Sequence, residues 1–502
     1  MALIGDRFSR ILAAKAPSGK TLYYPLAAPQ NEVYNPGRPA CYDTKDLPMR
    51  TQESYWETIA ELEKATTKKD QSDITRRTGV SRLPLCAASP AFLHPTFFPI
   101  DPFHLFYENC TAFLWDTMTA PKDSQDQIHF SKSAQMGALI PLAMETLPPS
   151  FCGPVRDVHL KRNSQFKIYE WMAVLHWYFI PIAIELALNS IVLSTFAQFV
   201  EIIDFAMTIK PRSEKDLEYL HDLITQFLTN YERLFVANDP AKLHHARLCI
   251  FQLIHVPIHI QWNGSIRLGS QATVERAIGE AAHKIRSKKA PFSNLESIIY
   301  RRELFKILIL YYPDLLPASF KSSPKNSSKP MQAHRIAWTK LAADSTLSTD
   351  LDLLSLYIGL DIRQKSTKTT VLRWGKFRLP NGNVLQSSLS KEGMANGNLI
   401  FGHAWAFYTI STDSTSPPRT LAIYTPLISV TTTSRIPRGK WAVGQLAVVE
   451  VAKIRSLVGI WTGVNTKGVY ILRKHPGLDY LATDERGVEA GDLVEDEDQD
   501  EN

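Results

Sequence analysis

The residues of this sequence whose types and spacing best suit contact with another molecule are basic. Six of them lie near the end of a helix predicted over 271–286 and in the segment that follows it: Lys284, Arg286, Lys288, Lys289, Arg301 and Arg302. Closely spaced Lys and Arg side chains can each contact a phosphate of a nucleic-acid backbone without reading the bases. The alternative is a solvated helix end, where cations interact favourably with the helix dipole. The pattern alone supports both interpretations equally.

Motifs of the common nucleotide-binding and hydrolytic enzymes are absent. The sequence contains no GxxxxGK[ST], GxGxxG, HExxH or GxSxG segment, so no small-molecule cofactor is expected. Its five cysteines are an odd number at wide spacings, without a CxxC pair: Cys41, Cys86, Cys110, Cys152 and Cys249. This usage indicates a reducing compartment and argues against a zinc site.

Charge is distributed unevenly along the 502 residues. The segment 489–502 holds eight acidic residues and no basic one, so removing it from the net charge of +6 leaves +14 on the rest of the chain. A basic body with an acidic tail suits a protein that binds a polyanion such as DNA. The same pattern occurs where the tail serves only solubility.

The hydrophobic pattern predicts an α+β protein. We expect a loop-rich lead-in over 1–95 that holds one helix, Glu53 to Ala65, and then a helix-rich region over 96–317. In the latter, Leu220, Ile224 and Phe227 belong to an apolar stripe at helical spacing. A Ser/Lys/Pro-rich linker over 318–340 precedes a small β-rich domain over 341–482, and an acidic disordered tail covers 483–502.

The longest apolar run, WMAVLHWYFIPIAIELA from Trp171 to Ala187, is interpreted as buried helix. It contains His176, Pro181 and Glu185, and it is shorter than the roughly 18 to 20 apolar residues that cross a bilayer. No membrane association is expected.

Several segments, taken in order, resemble one family of proteins. They are TLYYPLAAP, LPMR at 47–50, FFPIDPFHLFYEN, FKIYEWMAVLHWYFIPI, LITQFLTNYERLF, GSQATVERAIGEAAHKIRSKKAPFSNL and YILRKHPGLDYL. Together they span residues 21–481. Their colinear order resembles the CACTA-like (En/Spm-like) DNA transposases of basidiomycete fungi.

The resemblance implies a partial ribonuclease H-like core with a helical insertion. In that fold, carboxylates from distant segments hold two Mg²⁺ ions, which stabilise the attacking and leaving oxygens of a phosphoryl transfer. By resemblance, Asp101 and His104 match the family's DxxH element and Glu275 matches its closing glutamate. Asp101 and Glu275 would then be the metal ligands.

Each of these residues also has an ordinary structural interpretation. Asp101 precedes Pro102, and an Asp N-cap followed by proline is a common way to begin a helix. His104 would be a partly buried hydrogen-bonding residue in the first turn. Glu275 would be a solvated glutamate near the positive end of a helix.

The family's first catalytic aspartate has no counterpart here, since it lies upstream of the segment where the sequence begins. The expectation is therefore a nuclear, transposase-derived protein that is catalytically incomplete and retains DNA binding. Two alternatives stay open: an active DDE-type transposase with a truncated gene prediction, and a non-enzymatic protein-interaction module. DNA is the expected partner, and a homo-oligomer is a further candidate.

Overall fold

The computed structural model describes residues 26, 43–45, 47, 50–119, 130–144, 147–148, 151–162, 166–209, 211–237, 239–271, 279, 284–285, 289–312, 329–330, 335–336, 345–362, 370–374, 376–378, 384–386, 401–411, 417–454 and 456–473. The chain divides into two compact units. The first contains residues 1–133, 164–175 and 188–299, and the second contains residues 134–163, 176–187 and 300–502.

The first unit begins with a helical hairpin. Helix α1 covers Gln52–Lys64 and α2 covers Lys68–Thr78. Thr51 and Thr67 begin them, because each hydroxyl accepts a hydrogen bond from a backbone N–H of the first turn. The structure confirms α1 at nearly the predicted bounds. The sequence analysis missed α2, in which Ile74 is the only large apolar side chain.

Further helices of the first unit surround a buried aromatic core. A π-type helix over Phe103–Thr111 continues directly into a helix over Ala112–Thr119. Numbered in chain order through both units, the further helices of the first unit are α3 Ala112–Thr119, α6 Ile168–Ala173, α8 Ser190–Ala206, α9 Glu214–Tyr231, α10 Leu248–Phe251 and α11 Val256–Asn263. The predicted apolar stripe lies on α9, where Leu220, Ile224 and Phe227 are fully buried. The Phe227 ring stacks on Phe199 of α8 at 5.4 Å between centroids.

The second unit joins short helices to antiparallel sheets. Its helices are α4 Ser133–Ala143, α5 Val158–Lys161, α7 Phe179–Glu185 and α13 Ser345–Ile358. A further helix, α12, covers Pro291–Tyr311 and contributes residues to both units. The run Trp171 to Ala187, predicted to be buried, is buried except at Ile184 and at its last residue, Ala187, which is exposed; its residues up to Leu175 belong to the first unit. No helix among the described residues is long and apolar enough to cross a membrane.

Eleven strands are present among the described residues: β1 Lys329–Pro330, β2 Arg335–Ile336, β3 Thr370–Trp374, β4 Lys376–Arg378, β5 Val384–Gln386, β6 Gly402–Ser411, β7 Arg419–Thr433, β8 Ile436–Trp441, β9 Ala447–Glu450, β10 Val458–Thr462 and β11 Val469–Arg473. The larger sheet has the order β10-β11-β8-β7-β6-β3-β2, with β9 also pairing with β7, and a smaller one has the order β1-β4-β5. All pairs are antiparallel. The predicted mixture of helices with a β-rich C-terminal part is therefore correct.

One buried carboxylate connects α7 to the larger sheet of the second unit. The side chain of Glu185, at the end of α7, has no solvent exposure. Its Oε2 accepts the backbone N–H groups of Asn465 and Thr466, each at 3.0 Å. Its Oε1 accepts the hydroxyl of Thr466 and that of Tyr470, the latter at 2.6 Å. The loop between β10 and β11 is thus fixed by a residue 280 positions earlier in the chain.

Candidate active-site cleft

Asp101 and His104 lie together at the start of the π-type helix. Asp101 Oδ1 accepts the backbone N–H of Phe103 at 3.1 Å, which is a helix-capping contact. Its Oδ2 contacts the Nδ1 atom of His104 closely. The Asp101 side chain is 9% exposed, so this carboxylate is directed mainly into its own helix. The capping interpretation is confirmed, and the two residues of the DPFH segment are also brought into direct contact.

Glu108 completes a row of three polar side chains. His104 Nε2 lies 3.3 Å from Glu108 Oε2, and Glu108 is about half exposed. Asp101 therefore orients the imidazole from one side while Glu108 approaches it from the other. Both ring nitrogens of His104 therefore face carboxylates, which hold the imidazole in one orientation.

Two side-chain hydrogen bonds accompany the π-type winding of this segment. The amide of Asn109 donates to the carbonyl of His104 at 2.6 Å, and the hydroxyl of Thr111 donates to that of Phe106 at 2.7 Å. These side chains bond to carbonyls of the preceding turn. Such π-helical turns occur frequently at functional sites.

A cleft of about 380 Å³ opens beside these residues. The side chains that line it are Pro99, Ile100, Asp101, His104, Leu105, Glu108, Asn109, Gln252, His255 and Gln271. One wall depends on a close approach of the chain to Pro99, because a Cβ on Gly269 would lie 2.8 Å from the Pro99 Cβ. All of these residues belong to the first unit.

Two histidines, one lining the cleft and one buried behind it, lie one helical turn apart. His255 is 5% exposed and lines the cleft, and His259 on α11 is fully buried. Burial, together with the nearby His255, lowers the pKa of His259 to about 4. His259 is therefore neutral at physiological pH, and it packs against the Trp262 ring at 5.4 Å between centroids.

The described residues of the cleft do not by themselves fit a pair of magnesium ions. Both oxygens of Asp101 are engaged within the helix, and His104 offers a nitrogen, so Glu108 is left as a single further carboxylate, whereas a pair of Mg²⁺ ions needs several oxygen ligands. No group of three or more His, Cys, Asp or Glu side chains that could hold a metal ion occurs in the described part of the chain. Glu275 lies outside the described residues, so its predicted convergence with Asp101 stays a prediction.

The basic side chains predicted to contact DNA are exposed wherever the structure describes them. This holds for Lys284 and Lys289 and for Arg301 and Arg302 on α12. Arg286 and Lys288 lie outside the described residues.

Sequence reasoning missed most of the cleft. Glu108 could have been found, because it lies four residues after His104 and such pairs meet on a helix surface. Gln252, His255 and Gln271 carry no local signal, since they reach the cleft only through the packing of later helices.

Comparison of the chain with protein-family models, with curated proteins and with solved structures found no match.

Proposed function

We propose that this chain is a transposase-derived nuclear protein that binds DNA through exposed basic side chains and does not carry out two-metal strand cleavage. The observation that carries the proposal is the engagement of Asp101, the candidate catalytic carboxylate, in helix capping and in the orientation of His104. A carboxylate used in this way cannot readily turn toward a pair of cations without exposing the first turn of its helix.

A partial ribonuclease H-like core belongs to the proposal and is supported by the sequence resemblance. The residues described between 50 and 312 form helices, and strands among the described residues begin at Lys329. The helices over 166–262 occupy the interval of the proposed helical insertion, but no strand of the sheet of that fold occurs among the described residues between 50 and 312. Mg²⁺ is accordingly proposed as an ancestral cofactor.

Exposed cations support the proposed DNA contact. Lys284, Lys289, Arg301 and Arg302 are solvent-accessible, as phosphate contacts require. The net charge of +6 includes the acidic terminal segment, and the remainder of the chain is more strongly basic. Backbone contacts of this kind bind DNA without sequence preference and weaken as salt rises.

DNA binding is tested with a fluorescently labelled duplex and the full chain, by anisotropy at several salt concentrations. Charge reversal at two positions, Lys284→Glu with Lys289→Glu, is expected to lower the affinity and to reduce the slope of log K against log salt by about 0.9 for each phosphate that is no longer neutralised. Lys69→Glu is the matched control, because Lys69 is exposed on α2 outside the proposed basic surface. An affinity that does not change with salt concentration would contradict the proposal. So would a loss of affinity in Lys69→Glu as large as in the double variant.

Strand cleavage is tested separately with Mg²⁺ or Mn²⁺ on supercoiled and linear DNA. We expect no metal-dependent cleavage from the parent chain or from Asp101→Ala. Cleavage by the parent that is lost in the variant would show that Asp101 serves catalysis.

A further inference from the structure

Two cysteines from distant parts of the chain meet beside the cleft. Cys110 lies in the π-type helix, and Cys249 lies on α10, 139 positions later in the sequence. The Sγ atom of Cys110 is 3.3 Å from the backbone carbonyl oxygen of Cys249, and the two side chains also hydrogen-bond to each other. Both residues belong to the first unit, and neither is in a disulfide. A disulfide forms only where two cysteine side chains can approach closely, and this contact meets that requirement.

The two thiols differ in how readily a dissolved molecule can reach them. Cys249 is partly exposed, whereas Cys110 is fully buried. A small oxidant therefore reaches Cys249 first, and Cys110 is in direct contact with the residue that has reacted. An accessible reactive thiol beside a second, resolving thiol is the arrangement found in redox-sensitive cysteine pairs.

The surroundings of Cys249 favour its thiolate. The hydrogen bond from Cys110 lowers the pKa of Cys249, against the opposing effect of burial. The Arg247 guanidinium and the backbone N–H groups of Cys249 and Ile250 lower it further. The pKa of Cys110 is raised, because burial and the neighbouring Cys249 both disfavour a negative charge on its sulfur. Since the thiolate is the nucleophile in thiol oxidation, Cys249 is the attacking residue of the pair.

We infer that Cys249 and Cys110 form a reversible, peroxide-sensitive pair, in which Cys249 is oxidised first and Cys110 then closes a disulfide within the chain. In the first step the Cys249 thiolate attacks one oxygen of hydrogen peroxide, the O–O bond breaks and hydroxide leaves, which gives a sulfenic acid. In the second step the Cys110 sulfur attacks the Cys249 sulfur and the S–O bond breaks. The departing hydroxide takes the Cys110 proton and becomes water. Counting the proton that Cys249 loses on ionisation, two thiols lose two electrons and two protons, and one peroxide is reduced to two waters.

The disulfide links two segments that form walls of the cleft. Asn109 immediately precedes Cys110, Gln252 follows Cys249 by three residues, and both Asn109 and Gln252 line the cleft. A covalent bond between their neighbours restricts how far these walls can separate. In the reducing compartment that the cysteine usage indicates, such a bond is transient and reports an oxidising condition.

Disulfide formation is tested on the full chain, which is first reduced with dithiothreitol, freed of the reductant and then treated with hydrogen peroxide in equimolar steps. Peptide mapping by mass spectrometry without reduction is expected to find Cys110 linked to Cys249 of the same chain. Titration of the remaining thiols is expected to show a loss of two of the five, restored by dithiothreitol. A linkage between two chains would overturn the inference. So would the absence of a Cys110–Cys249 linkage at doses that already oxidise Cys86.

Single variants test the order of the two steps. In Cys110→Ala the resolving thiol is missing, so dimedone is expected to trap a sulfenic acid at Cys249. In Cys249→Ala the buried Cys110 is expected to stay reduced at the same dose, and its oxidation at the parental rate would overturn the assigned order. Cys86→Ala is the matched control, because Cys86 is another partly exposed thiol of the first unit, and it should lose two thiols as the parent does. Circular dichroism checks that each variant is folded, and the mapping of the parent decides the inference where a variant is not.

Hydrogen exchange tests the effect on the cleft. Peptides that cover the π-type helix and α10 are expected to exchange more slowly in the oxidised chain than in the reduced one, because the bond restrains both segments. Unchanged exchange in both segments would refute the link between the disulfide and the cleft walls. Because DNA is absent from these measurements, their outcome is independent of the proposed DNA binding.

Discussion

Replacement of Glu185 is the sharpest test of how the second unit is held together. Glu185→Ala removes a buried carboxylate that accepts hydrogen bonds from two backbone N–H groups and two hydroxyls. The hydroxyls of Thr466 and Tyr470 can turn toward other acceptors. The N–H groups of Asn465 and Thr466 cannot, since their directions are determined by the loop.

The size of the effect follows from the number of donors left without an acceptor. A buried donor without a partner costs about 1–3 kcal/mol, so two fixed donors predict a loss of about 4 kcal/mol for Glu185→Ala. Glu185→Gln keeps one acceptor oxygen for the two N–H groups, and its amide can donate to the two hydroxyls. We expect a loss of only about 1–2 kcal/mol for this variant.

The pH dependence gives a second readout at the same residue. Burial raises the pKa of Glu185, but the hydrogen bonds from Thr466, Tyr470 and the two backbone N–H groups outweigh it and hold the pKa below its ordinary value of 4.5. Because the pKa is lower in the folded chain than in the unfolded one, the stabilisation is present above pH 4.5. It is lost as the pH falls through the folded-state pKa. Glu185→Gln should reduce this acid sensitivity.

Hydrogen exchange followed by mass spectrometry measures the local effect, in peptides that cover β10, β11 and the loop between them. Gly463→Ala is an independent perturbation, because a Cβ at this position would collide with the Glu185 carboxylate. It should increase exchange in the same peptides. If Glu185→Ala left exchange there and the urea midpoint of the whole chain unchanged, the reasoning from buried donors would be refuted.

Three further predictions concern the first unit. Asp101→Ala should lower the free energy of unfolding by about 1–2 kcal/mol, measured with urea, because the N–H of Phe103 loses its cap; Asp101→Asn should cost less. His259 should contribute a fall in stability of about 3 kcal/mol between pH 6.5 and pH 4, because the unfolded chain takes up a proton that the buried, neutral His259 does not, and His259→Phe should remove this contribution from the pH profile. Gly269→Ala should cost about 1–3 kcal/mol through overlap with Pro99, and a thermal midpoint equal to that of the parent would contradict the close approach.

Local periodicity predicted a good part of the fold. The stripe containing Leu220, Ile224 and Phe227 indicated α9, since residues three and four apart share one face of a helix. The clustered apolar runs after residue 370 indicated strands, and the structure places strands in them. Helix α2 was not predicted, because its sequence is almost entirely polar and shows no apolar periodicity. The side chain of Thr67 caps its beginning.

The sequence by itself determined which side chains meet along one helix. Asp101, His104 and Glu108 follow at intervals of three and four residues, so winding the chain into a helix brings them into a row. Only the tertiary structure decided what faces that row, because Gln252, His255 and Gln271 come from distant segments. The same is true of Glu185, whose partners lie about 280 residues away. Hydrophobic periodicity encodes which face of an element is buried, but it does not encode the element that covers that face.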